Sequence, residues 1–330
     1  MRSVLLALAL LGLSPTDSLV YRPSAELRLE REFASHFELQ LSDWNVVMNG
    51  QDVPAQYLPK LAIESRTNVG FTARDEVLAA RDGKLLAVRR EYRDFAGSET
   101  SNVTIDGERD AASGDEAAKP SIGACTVLFD ERAGAASERR KLEAGDVDAE
   151  ALAALELDLD FARLLPADGG DEWELDVARL NPFGRRLAGI EFAFEARHDD
   201  RGAPQEQLAA NARGHWRLVR GEKREENGQS LCVVQLAGEF ETDATRRTEL
   251  IDVPVATGAA DEHTKLALEL HGELVWNATQ GVLHSLEWSG EGAMGVRTVR
   301  VRDGSGADTA YEHTLNFACK SSFSASARAE

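Results

Sequence analysis

The stretch from Thr264 to Gly290 leaves a chain few ways to fold. From Leu266 every second residue is apolar or glycine (Leu266, Leu268, Leu270, Gly272, Leu274, Trp276), while Lys265, Glu269, His271, Glu273 and Asn277 hold the other parity. Side chains of a strand point alternately to opposite faces, so this is a half-buried strand. After Asn277-Ala278-Thr279-Gln280-Gly281 the alternation resumes with Val282, His284, Leu286 and Trp288. A glycine-terminated connection of odd length predicts four pairs: Trp276 with Val282, Leu274 with His284, Gly272 with Leu286 and Leu270 with Trp288. All then share one apolar face.

The same device recurs along the chain. Leu27, Leu29, Phe33, Phe37, Leu39 and Leu41 share a parity against Glu26, Arg28, Glu30, Glu32, His36, Glu38 and Gln40, in a run long enough for a strand of about 50 Å. Asp82-Gly83 reads as a two-residue hairpin turn that pairs Ala79 with Leu86, Val77 with Val88 and Ala73 with Tyr92. Asn227-Gly228 joins a third pair of arms, and residues 296–301 with 311–319 form a closing pair. Arg89, Arg90 and Arg297 read as the solvated face of such strands. Residues 97–121 are polar and read as a mobile loop, and residues 321–330 as a frayed tail. Asp148 caps a stretch rich in Ala and Leu, which predicts one packed helix over about 149–159, ahead of Pro166.

Strands do not alternate with helices, which argues against a parallel sheet. The expected fold is mainly β: a large curved antiparallel sheet, or an open half-barrel of hairpins, carrying one α-helix. Residues 19–320 form a single β-rich domain on this reading.

Residues 164–175, Leu-Leu-Pro-Ala-Asp-Gly-Gly-Asp-Glu-Trp-Glu-Leu, follow the helix and enter a strand through an acidic, glycine-containing turn. Together with the hairpins on either side, this phrase resembles a group of secreted bacterial β-rich proteins of unknown function. Their sheets are similar to the open half-barrels of periplasmic lipoprotein carriers. The resemblance implies an architecture and carries over no catalytic residue.

Met1-Arg2-Ser3 followed by the uncharged run Val4 to Leu13 reads as a secretory signal peptide over residues 1–18, since about 20 apolar residues are needed to span a bilayer. The expected location is therefore the periplasm or the exterior, with no transmembrane segment in the mature chain. Fifty-seven acidic residues against 37 basic ones give a net charge of −20, which disfavours nucleic acid and anionic membrane surfaces as partners. Cys125, Cys232 and Cys319 lie in strand-like runs and read as buried thiols, with one disulfide open as an alternative.

Motifs of chemistry are sparse. Gly290-Glu-Gly-Ala-Met-Gly295 matches a dinucleotide fingerprint in letters, but a strand follows it where a helix is required. No serine-hydrolase, zinc-protease, P-loop or EF-hand spacing occurs, so no cofactor or metal is expected. The candidate ligand-facing residues are those of the apolar parity: Leu270, Leu274, Trp276, His284, Leu286, Trp288 and His313. On this basis the chain reads as an exported, non-enzymatic protein that holds an apolar small molecule, lipid or acyl chain on a concave sheet face. The other reading is a structural or protein-interaction component of the cell envelope without a ligand cavity.

Overall fold

A computed structural model describes residues 19–81, 84–135, 138–157, 164–166, 170–176, 186–194, 207–208, 210–250, 257–303 and 310–330. In chain order its elements are β1 (Arg28–Met48), β2 (Gln51–Asp52), β3 (Leu61–Arg81), β4 (Lys84–Ile105), β5 (Glu108–Arg109), β6 (Gly114–Ala117), β7 (Lys119–Pro120), β8 (Cys125–Asp130) and β9 (Arg140–Ala144), followed by α1 (Ala149–Ala154), β10 (Glu172–Asp176), β11 (Arg186–Leu187), β12 (Ile190–Ala193), β13 (Arg213–Glu226), β14 (Gln229–Leu250), β15 (Thr257–Asn277), β16 (Val282–Asp303) and β17 (Ala310–Ala329).

Fourteen strands form one antiparallel sheet. Its path runs β10-β13-β14-β15-β16-β17-β1-β3-β4-β8-β9, with β2 beside β1 and both β5 and β6 beside β4. Seven of these strands hold 20 to 22 residues each. At the rise of an extended chain that is about 70 Å. The sheet is open, and the strands at its two ends, β9 and β10, have five residues each. Short edges offer little template for pairing with another chain.

Turn chemistry sets the hairpins. Asn227 and Gly228 both take positive φ (51° and 75°), the two-residue turn whose twist matches the strands it joins. In the Asp82-Gly83 hairpin, Val77 pairs with Val88 and Ala73 with Tyr92, as the alternation predicts. Ala79 meets Ala87 instead of Leu86, because the ladder is bulged there. Asp82 and Gly83 themselves lie outside the described residues.

The hairpin of β15 and β16 has a different register from the predicted one, for a countable reason. Asn277 pairs with Val282, so the loop of residues 278–281 has an even length. An even loop puts the two arms out of phase by one and brings Leu283, not Val282, opposite Trp276. A bulge at His284 then restores the phase, and Leu274 pairs with Leu286 and Gly272 with Trp288. The apolar face survives, with different partners.

One contiguous core lies against this face. Leu268, Leu270, Leu274, Trp276, Leu286 and Trp288 join Phe33, Phe71 and Tyr92 from the other half of the sheet. Tyr21, Ile122, Leu155, Leu164, Ile190 and Phe192, from segments outside the long strands, belong to the same cluster. Wide side chains fit where glycine faces them: a Cβ at Gly272 would stand 2.3 Å from the Glu287 carbonyl oxygen and 2.7 Å from Trp288.

Four expectations are corrected. Residues 97–121 are not a loop: β4 continues to Ile105, pairs with β3 on one side and with β5 and β6 on the other, and buries Glu99 and Ser101. Ladder hydrogen bonds come from the backbone, so a polar stretch satisfies them as well as an apolar one. Residues 321–329 are likewise strand, with Phe323 opposite Ser35 and Ala329 opposite Leu29. The helix has six residues; Asp148 caps it by accepting a hydrogen bond from Ala151 N at 2.7 Å, as its position predicts. It stops because Leu155 turns extended into the core and Glu156 N bonds Ala188 O at 3.1 Å; residues 158 and 159 lie outside the described residues. Arg90 points inward and is fully buried, since it shares its phase with Val88 and Tyr92. Arg89 does lie on the outer face, against Glu76 and Glu143.

All three cysteines are buried thiols, and none of them is joined in a disulfide. Burial pushes the Cys125 thiol up to about 11 and the Cys319 thiol to about 12.

Candidate functional site

The seven residues singled out by parity separate into two groups. Leu270, Leu274, Trp276, Leu286 and Trp288 are at most 3% exposed and belong to the core. Trp276 packs its ring on Tyr21, and Trp288 packs on Trp216 and Phe323. His284 is half-buried at the bulge, and His313 is half-buried on β17, where it pairs with Thr298 of β16. Fourteen positions of one strand therefore separate the two histidines along the sheet, which is about 47 Å. They do not form a pair.

A groove of about 990 Å³ lies on the opposite, polar face. It crosses seven consecutive strands, from β14 through β15, β16, β17, β1 and β3 to β4. Directly paired residues share a face, so the register gives its two central rows. One row reads Gln235, Glu273, Glu287, Ser324, Ala34, Gly70 and Ala96; the next reads His271, Ser289, Ser322, His36, Asn68 and Ser98. Small side chains at Ala34, Gly70, Ala96, Ser322 and Ser324 keep its middle low. A Cβ at Gly70 would stand 2.8 Å from the Phe33 carbonyl oxygen, so only glycine fits there without a shift.

Polar contacts fix the walls. His36 Nδ1 lies 2.7 Å from Asn68 Oδ1, Thr72 donates to Asp94 at 2.7 Å, and Gln235 Nε2 donates to Glu273 at 2.8 Å. His271 Nε2 lies 2.9 Å from Ser289 Oγ. That contact has the spacing of a nucleophile and its base, but a working pair also needs a third group to orient the imidazole. Among the described residues the Ser289 contact is the side-chain hydrogen bond His271 makes, and no third group orients its ring. Among the described residues no three His, Cys, Asp or Glu side chains converge as a metal-binding set.

The groove is acidic. Glu32, Asp94, Glu273 and Glu287 line it, and among the described residues no lysine or arginine does. Arg224 reaches Glu273 at 3.6 Å and Arg93 reaches Asp94 at 3.8 Å from outside it. Glu273 sits directly opposite Glu287 across β15 and β16, a like-charge pairing that disfavours the sheet. Sequence reasoning passed over this region because it followed the apolar parity. The signal was present on the other parity, in His271 and Glu273 and in the small residues of the run from Ser322.

Fold and groove together define a mainly β protein built on one large open sheet beside a small three-stranded one (β11-β12-β7), with an acidic groove on the polar face of the large sheet. Among the described residues no helix is long and apolar enough to cross a membrane. No family model and no curated protein matches the chain. Among solved structures it is similar at 10% identity to an outer membrane channel from Pseudomonas putida F1, over 93% of this chain and 97% of that one, with a TM-score of 0.18. It is also similar at 9% identity to the InvG secretin domain β-barrel of the Salmonella SPI-1 injectisome, over 92% of this chain and 63% of that one, with a TM-score of 0.16. At these TM-scores neither likeness bears on fold or function.

Proposed function

We propose that the protein is an exported, non-enzymatic binding protein that works through the groove on its polar face, with the apolar face serving as its core. The observation that carries this reading is the division of the sheet: the apolar parity is filled by its own chain, and the open concavity lies on the other side. Of the two functions legible in the sequence, an interaction component agrees better with that division than a carrier of an apolar ligand. The export signal expected in residues 1–18 supports a place outside the cytosol.

Native mass spectrometry of the protein purified from its own export route tests the reading. The expected result is a chain free of lipid. A stoichiometric lipid that delipidation removes would assign the apolar face to a ligand and overturn it.

A further inference from the structure

The groove's chemistry narrows what it takes, and the argument rests on the groove being the working surface. An unpartnered sheet face recognises by complementarity, and this one presents four carboxylates, of which Glu273 and Asp94 are met by arginines reaching in from outside the groove. Neither Glu32 nor Glu287 has an ion-pair partner among the described residues. One row further along the same face, Glu239, Glu269 and Glu291 stand side by side on β14, β15 and β16, answered by Lys320 at 3.6 Å from Glu291. Like charges placed directly opposite cost stability in the free protein, and a cation laid between them removes that cost.

The shape adds a second constraint. Seven strands at the usual spacing make the groove about 29 Å long across the strands. Its lining along each strand covers only two to five positions. A narrow trough of that length matches an extended segment of about nine residues. Among the described residues the two polar rows carry no aromatic ring on which a sugar could stack; their members are carboxylates, hydroxyls, amides, two histidines and the small residues Ala34, Gly70 and Ala96.

We infer that the groove docks an extended, lysine- and arginine-bearing segment of another exported polypeptide, with Glu273 and Glu287 as its main charge contacts. Fluorescence anisotropy with a labelled nonapeptide of alternating lysine and serine tests this on the full chain. A peptide with glutamate in place of lysine is the counter-probe, and Glu150→Gln on the exposed helix is the control substitution. The lysine peptide binds and the glutamate peptide does not. Its affinity falls by about tenfold or more between about 50 and 300 mM NaCl. The double substitution Glu273→Gln with Glu287→Gln weakens binding by about fivefold or more, while Glu150→Gln leaves it unchanged. A poly(ethylene glycol) maleimide attached at Ser322→Cys abolishes it.

Three results overturn the inference: no binding of the lysine peptide at low salt, equal binding of the glutamate peptide, or binding that neither the double substitution nor the blocked groove changes. Spermine and calcium are run beside the peptide; if either binds and the peptide does not, the groove takes a small cation and the peptide assignment falls. Should the peptide fail while a photo-crosslinker at Ser322→Cys still captures a ligand that groove-filling Ser324→Trp prevents, the charge assignment falls and the groove reading stands. If both fail, so does the groove.

Discussion

Asp75 and Arg90 face each other across β3 and β4 in the buried layer of the sheet, and Arg90 donates to both carboxylate oxygens, at 2.7 and 3.1 Å. Arg31, from the neighbouring β1, brings its Nε to 2.7 Å from the same carboxylate. The Arg90 guanidinium also lies over the Phe33 and Tyr92 rings, at 5.8 and 5.6 Å. Charges taken out of water are tolerable only when paired in this manner.

Removing Asp75 takes the carboxylate shared by two buried guanidinium groups out of the core. Asp75→Ala is expected to cost about 3 to 5 kcal/mol, read as a lower urea midpoint at unchanged m-value. A loss below about 1 kcal/mol would show that water reaches the cluster.

Leu274 separates a core from a ligand cavity. It is fully buried between β14 and β16. Leu274→Ala should cost about 2 to 5 kcal/mol in urea unfolding, as truncations in packed cores do. A residue lining an open apolar pocket would lose far less.

Gly272 and Gly123 test the packing of the sheet against each other. A Cβ at Gly272 collides with the backbone of the next strand, whereas one at Gly123 meets nothing within 4 Å. Gly272→Ala is expected to destabilise by about 1 to 3 kcal/mol, and Gly123→Ala to change stability by no more than about 0.5 kcal/mol. Thermal unfolding of the two variants beside the parent gives the comparison.

The thiols give a pH dependence with a definite sign. Burial raises Cys125 from 9.0 to about 11 and Cys319 from 9.0 to about 12, so the folded state holds these protons more tightly than the unfolded chain. Their contribution to stability is complete below pH 9 and is lost as the pH climbs toward 11 to 12. Cys319→Ala should therefore flatten part of the fall in stability above pH 9. A thiol reagent at neutral pH should find no reactive cysteine in the native protein and all three in denaturant.

How much of this could be read beforehand differs by element. Alternation located the long strands and the apolar face, and turn dipeptides such as Asn227-Gly228 located the hairpins, because both depend on neighbours in sequence. Register was harder: the pairing of Trp276 depends on whether a loop has four residues or five, and the bulge at His284 leaves no mark in composition. Residues 97–121 were misread because backbone ladder bonds to β3, β5 and β6, which leave no mark in apolar composition, hold them in the sheet. Arg90 was misread because a charged letter suggests water until Asp75 is placed beside it. The groove was illegible for a related reason. Its rows draw on seven strands between Glu32 and Ser324, and small residues become a hollow only once those strands lie side by side.

The central claim is that ligand engages the polar face. The most direct measurement places one photo-crosslinker in turn at Ser322→Cys in the groove, Glu150→Cys on the helix and Glu222→Cys on β13, each with the exported fraction of the source. Adducts are expected from Ser322 and from neither other position, and they should vanish when Ser324→Trp fills the trough in a protein that still folds. Adducts of equal yield from all three positions, or adducts at Ser322 that survive Ser324→Trp, would contradict the account.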